Sequence, residues 1–119
     1  MFATMKKKLR LKRKKDIELL LKIKKSVGNK YYAIYFNLEE DTKIAVSVSK
    51  KLGKAVERNY QKRVTREIIS KNMQNLEKVH ALIVVKKPSM DLSFAEKQKQ
   101  LEYLILKVKK WVKWETNIF

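Results

Sequence analysis

The sequence predicts an α+β domain, a β-sheet covered by helices, and three observations carry that expectation. The segment KIAVSVS at 43–49 alternates with a period of two, placing Ile44, Val46 and Val48 on one face and Ala45, Ser47 and Ser49 on the other. HALIVV at 80–85 is a short continuous apolar run, the pattern of a strand buried on both faces. Segments with helical spacing of apolar residues lie before, between and after these strands, so the order is helix, strands, helix, strand, helix.

Each element has its own local reason. DIELLLKIKK at 16–25 reads as a short amphipathic helix, with Asp16 capping its start and Ile17, Leu20 and Leu21 sharing a face. Val27-Gly28-Asn29 breaks it, and the aromatic-rich YYAIYF at 31–36 reads as a strand. Within that run Tyr31, Tyr32 and Phe36 are expected in the core or at its rim. The polar turn LEEDT at 38–42 joins it to 43–49 as a hairpin. Gly53 interrupts, and a helix follows from about Val56 to Met73. Pro88 ends the strand at 80–85, and Ser93-x-x-Glu96 is a capping-box pattern opening a long last helix. Phe94, Leu101, Leu104, Ile105, Val108 and Trp111 fit the inward stripe of that helix. Two Gly, one Pro and no repeats leave no linker, so residues 1–119 are expected to form a single domain, with 1–8 a flexible basic arm.

Charge says what kind of partner to expect. The chain carries 30 Lys and Arg against 12 Asp and Glu, a formal net charge of +18. A folded domain that basic repels itself unless a polyanion neutralises it, with nucleic acid first and an anionic membrane surface second. The charge is uneven: residues 1–30 hold 12 basic and 2 acidic side chains, residues 31–49 only Lys43 against Glu39, Glu40 and Asp41, and residues 50–71 hold 8 against 2. Two basic segments flank a nearly neutral one, which suits a surface with two anion-binding regions. There is no Cys, so disulfides and thiolate chemistry are excluded. No apolar run approaches the roughly 20 residues that span a bilayer. The start, MFATMKKKLRLKRKKD, lacks the apolar stretch of a secretory signal, so a cytoplasmic protein without a membrane partner is expected. Met5 competes with Met1 as initiator.

Arginine is the informative residue type. Only 5 of the 30 cations are Arg, and three of them, Arg58, Arg63 and Arg66, fall in KKLGKAVERNYQKRVTR at 50–66. Arg offers a planar fork of donors that grips phosphate bidentately and stacks on bases, whereas Lys is closer to a point charge. On a helix Arg58, Lys62 and Arg66 lie in one row, with Asn59, Arg63 and Ser70 in the next. Tyr60, Val64 and Ile68 form an apolar row opposite. Most charge runs are solvated surface; here the basic face has no interleaved Glu, and the scarce Arg concentrates on it.

A self-contained active site is not expected. His80 is the only His and opens an apolar strand, a setting more often structural than catalytic. Glu39, Glu40 and Asp41 sit in a turn with nothing nearby to complete a ligand set, and no Gly-rich phosphate loop exists. Neither a catalytic residue nor a metal site is assigned to the chain.

The ordered match Ser47-Val48-Ser49-Lys50-Lys51, Gly53, Ala55-Val56, Arg58-Asn59, Lys62-Arg63 and Arg66-Glu67 resembles the signature of the bacterial ribonuclease P protein subunit. Leu9-Arg10-Leu11-Lys12 with Asp16, then Val85-Lys86-Lys87-Pro88 and Leu92-Ser93-Phe94, extend the likeness over nearly the whole chain. Tyr60 departs from it, standing where the family's Arg-Asn-Arg core has its second Arg. The resemblance implies an α-β-β-β-α-β-α sandwich with a four-stranded sheet and a left-handed β-α-β crossover (ribosomal protein S5 domain 2-like), its extra strand near Ser26–Asn29. It also implies a role as the protein subunit of an endoribonuclease in which an RNA subunit, using Mg2+, removes the 5′ leader of precursor tRNA. One protein and one ribonuclease P RNA would form the ribonucleoprotein. Lys51, Lys54, Arg58, Asn59, Lys62, Arg63 and Arg66 would face the catalytic RNA. Ile17, Leu21, Tyr35, Lys86 and Lys87 would form the leader cleft, core packing being the competing role for Ile17 and Leu21. The family has Phe at those two helix positions, so leader contact is expected to rest more on Tyr35, Lys86 and Lys87.

Composition alone would favour a ribosomal or other structural RNA-binding protein; the ordered match from Ser47 to Glu67 is what discriminates against it. A basic amphipathic membrane helix over 6–25 lacks an aromatic anchor and leaves the Arg cluster unexplained. A DNA-binding reading lacks a helix-turn-helix pattern.

Overall fold

The computed structural model describes residues 9–23 and 25–117; the proposed basic arm at 1–8 lies outside the described residues. The chain order is α1 (Lys14–Ile23), β1 (Ser26–Gly28), β2 (Tyr32–Leu38), β3 (Lys43–Val48), α2 (Ala55–Ser70), β4 (Val79–Val85) and α3 (Phe94–Asn117). The fold is α+β, with a four-stranded mixed sheet of order β1-β2-β4-β3. β2 is antiparallel to β1 and to β4, while β3 runs parallel to β4. Because β3 and β4 are parallel neighbours, α2 forms the crossover between them.

Strand alternation divides the apolar residues between two faces. Tyr32, Ile34, Phe36, Ile44, Val48, Ala81, Ile83 and Val85 face α2 and α3 in the main core, with Val64, Ile68, Leu101, Leu104, Ile105 and Val108 from the helices. On the opposite face Ala45 and Leu82 pack under Leu11 and Leu20, with Ile17, Tyr35 and Val84 half-buried around them. β4 is thus buried on both faces, as its unbroken apolar run predicts.

Five local expectations are corrected. The β2–β3 hairpin does not form: β4 inserts between the two strands, so the turn at 38–42 joins strands that are not paired to each other. Asp16 lies in the first turn of α1 and does not cap it, because the helix already starts at Lys14. Of the three apolar residues on that helix, Leu20 is buried and Ile17 half-buried, but Leu21 is exposed. α2 stops at Ser70, not Met73; the next turn tightens into a short 3-10 segment at Met73–Asn75. Trp111 is 43% exposed: its ring meets Phe36 edge-on, with centroids 6.4 Å apart, at the edge of the inward stripe. The Ser93 cap holds: its hydroxyl accepts a hydrogen bond from the Glu96 amide at 3.2 Å.

Candidate nucleic-acid interface

Gly53 sets the start of α2. Its φ of 144° and ψ of −172° lie in a region that residues with a Cβ rarely enter. The turn lets the Gly53 carbonyl accept a hydrogen bond from Arg58 Nε at 3.2 Å, in the first turn of the helix. The signature glycine therefore positions the first signature arginine. Gly53→Ala is expected to cost about 1–3 kcal/mol of stability. A denaturant melt checks this; an unchanged midpoint would show that the turn relaxes freely.

Along α2 the buried side is Gln61, Val64, Thr65, Ile68 and Ile69. Asn59 and Arg63 are exposed, Arg58, Lys62 and Arg66 are half-buried along one flank, and Lys51 and Lys54 are exposed in the approach. The sequence-predicted basic face is thus one surface, its two rows differing in exposure. Ser70 leaves it, donating its hydroxyl to the Glu67 carbonyl. Glu57 accepts from Gln61 Nε2, and Glu67 is buried and paired to Lys71 at 3.6 Å, so both carboxylates are engaged within the protein.

Tyr60 is a correction. It does not join the apolar row but stands 45% exposed, on the flank toward α3. The Lys97 ammonium lies 5.7 Å from its ring centroid. Lys97 is itself buried, and burial pushes its pKa down, partly offset by Glu57. The contact of this cation with the ring holds Tyr60 against α3 at the surface.

The structure adds one residue that the motif reasoning missed. Arg10 bridges to Ile44 at the outer edge of β3, an attachment held by the Leu11 amide donating to the Ile44 carbonyl at 2.8 Å. That places Arg10 near Arg66, whose pKa is pushed down by burial and then by the charge of Arg10. Arg10 Nε is buried without a hydrogen-bond partner. Arg10 and Arg66 are thus near enough for their charges to oppose each other, and neither has an ion-paired carboxylate among the described residues. The scarcity of Arg could have found Arg10, since it is one of only five.

The second predicted group lies on the other face of the sheet. Ile17 and Tyr35 are half-buried around the Leu20–Leu82 cluster, and Val84, which the sequence reading did not single out, joins them. Leu21 is exposed on the same helix. Lys87 is exposed, whereas the Lys86 ammonium donates to the Asn29 carbonyl at 2.7 Å, tying the end of β4 to the β1–β2 turn. Lys86 thus makes a contact within the protein, whereas Leu21 and Lys87 stand exposed and Ile17, Tyr35 and Val84 half-buried. His80 is structural as well: Nε2 lies 2.7 Å from Asp41 Oδ1, and this contact holds the Asp41 carboxyl below its ordinary pKa. No group of three or more Asp, Glu or His that could hold a metal comes together among the described residues, and no described helix is long and apolar enough to cross a membrane.

The sequence profile of the family described as Ribonuclease P matches residues 5–109. The chain belongs to the family of ribonuclease P protein components. The ribonuclease P protein component of Bacillus velezensis is 36% identical over 106 residues, covering 87% of this chain and 91% of that protein. That of Acholeplasma laidlawii is 40% identical over 90 residues, covering 74% and 78%. Among solved structures, the RNase P protein of Staphylococcus aureus superposes with a TM-score of 0.77 at 30% identity, covering 86% of this chain and 95% of that one. The RNase P protein of Thermotoga maritima superposes with a TM-score of 0.76 at 26% identity, covering 82% and 96%. The four-stranded sheet and three helices are thus those of ribonuclease P proteins, and membership makes the chain a component of a tRNA-processing endoribonuclease ribonucleoprotein.

Proposed function

We propose that this chain binds the catalytic RNA of ribonuclease P through α2 and the edge of β3, and the single-stranded 5′ leader of precursor tRNA through the α1–sheet groove. One protein and one RNA form the holoenzyme. The observation that carries this reading is the Arg10–Arg66 pair. Two neighbouring guanidinium groups, one with a buried unpartnered N–H, disfavour the free protein and favour a complex in which a phosphate accepts from both. The Asn59–Arg63 row continues that anion-binding surface along the helix and can hydrogen-bond sugar and base edges. We assign the Mg2+ of the holoenzyme to its RNA; among the described residues no group of three or more Asp, Glu or His comes together that would hold a metal in the protein. This chain's own contribution is to neutralise closely spaced phosphates and to orient the substrate strand.

In the groove, Tyr35 offers the aromatic surface, with Ile17, Leu21 and Val84 as apolar walls and Lys87 at one end. Stacking of a base on an aromatic side chain is worth about 1–3 kcal/mol. Tyr35→Ala is therefore expected to weaken holoenzyme binding of precursor tRNA by that amount and to leave binding of leaderless tRNA unchanged. Titrating both substrates separates the outcomes; an equal loss for both would remove the leader from the groove.

A further inference from the structure

A third basic surface lies on α3, away from both regions above. The inner side of α3 is committed to the core: Leu101, Leu104, Ile105 and Val108 are all fully buried. They pack on the sheet face opposite α1, so the outer side of α3 points away from the groove. At 100° per residue, Lys99, Tyr103, Leu106, Lys107, Lys110 and Trp114 fall within one arc of about 80–100° on that outer side. Tyr103 is 56% and Trp114 60% exposed, large values for aromatic side chains on a helix. Between Lys99 and Trp114 this arc holds no carboxylate. Glu96 lies on the same arc one turn before Lys99 and Glu102 about 40° outside its edge; Glu115, on the other side, is occupied by the Lys25 ammonium and the Trp111 indole N–H, both at 2.8 Å. Lys107 lies 4.6 Å from the Tyr103 ring centroid, and neither Lys107 nor Lys110 has an ion pair among the described residues.

We propose that this outer face of α3 is a second platform for single-stranded nucleic acid, with bases stacking on Tyr103 and Trp114 and phosphates held by Lys107 and Lys110. The two rings are eleven residues apart, roughly 16 Å along the axis, which is room for an extended strand of a few nucleotides. Aromatic rings interleaved with cations on one face are what sequence-tolerant strand binding requires. A lipid-bound helix instead segregates a continuous apolar face from its cations. Here the continuous apolar face is already buried in the core, and Lys107 and Lys110 lie between Tyr103 and Trp114, while Trp114 meets Trp111 directly, ring centroids 5.8 Å apart.

The chain's two tryptophans, Trp111 and Trp114, both lie at this end, so indole emission reads this surface and not the α2 face. In the full chain carrying Trp111→Phe, emission comes from Trp114 alone. Titration with a short oligoadenylate is expected to quench it, and Lys107→Gln with Lys110→Gln to abolish the quench. Tyr103→Ser should shift the quench titration roughly 5- to 150-fold toward higher oligonucleotide concentration. Oligonucleotide binding seen by its own anisotropy, with Trp114 emission unchanged, would overturn the proposal. So would a blue shift on phosphatidylglycerol vesicles with no response to oligoadenylate, which would assign the face to a membrane. The α2 reading is tested separately by cleavage, so the two can fail independently.

Discussion

Arg66→Met is expected to weaken binding to ribonuclease P RNA by about 1.5–3 kcal/mol, the range for hydrogen bonds to charged groups. It should also lower the salt-dependence slope by about 0.7–0.9, one phosphate contact. Met keeps most of the apolar stem and removes the charge. In the free protein Arg66 is disfavoured by burial and by Arg10, so the same substitution is expected to leave thermal stability unchanged or raised. That opposite movement distinguishes an anion-binding arginine from a structural one. Arg66→Lys retains the charge without the planar fork and should fall between. If RNA affinity is unchanged in Arg66→Met, α2 does not carry the interface.

Ile68→Ala is expected to destabilise the fold by about 2–5 kcal/mol, the transfer loss plus the cavity left behind. Ile68 is fully buried between α2 and the sheet, on the side of the helix away from Asn59 and Arg63. For a domain whose total stability is about 5–15 kcal/mol, that is a large fraction, and the high positive charge narrows the margin further. Guanidinium or urea melts measure it directly. Under conditions where the variant remains folded, its RNA affinity should match the parent, because no RNA-facing atom has changed. A fall in affinity without a fall in stability would mean that α2 is held in place differently.

The strong periodicities were legible in the sequence. The alternation of 43–49, the apolar run of 80–85 and the heptad-like stripe of α3 all predict their elements because each buries a regular face. β1 was not legible from pattern. It is three residues long, Ser26–Gly28, with only Val27 turned inward, and it exists because β2 offers it an edge at Tyr35, Ile34 and Ala33. The resemblance to a known family, not the residues themselves, placed it. Tyr60 was misplaced because helical spacing cannot show that Lys97, 37 positions on, meets its ring. The structural contact of Lys86 was not legible for a related reason: its partner is the backbone carbonyl of Asn29, 57 positions away. Arg10 was missed because its role arises only when an amino-terminal segment docks on the edge of β3 beside α2. Long-range pairings of this kind carry no local signature, whereas the basic face of α2 is contained within one helix and could be read from spacing.

Precursor-tRNA cleavage at low Mg2+ with a bacterial ribonuclease P RNA, with and without this protein, decides whether the chain assists an active site held by RNA. The protein alone is expected to be inert, and adding it to the RNA to restore cleavage at the 5′ end of the mature tRNA. Tight binding to that RNA with no gain in cleavage would refute that role and leave a structural RNA-binding module in its place.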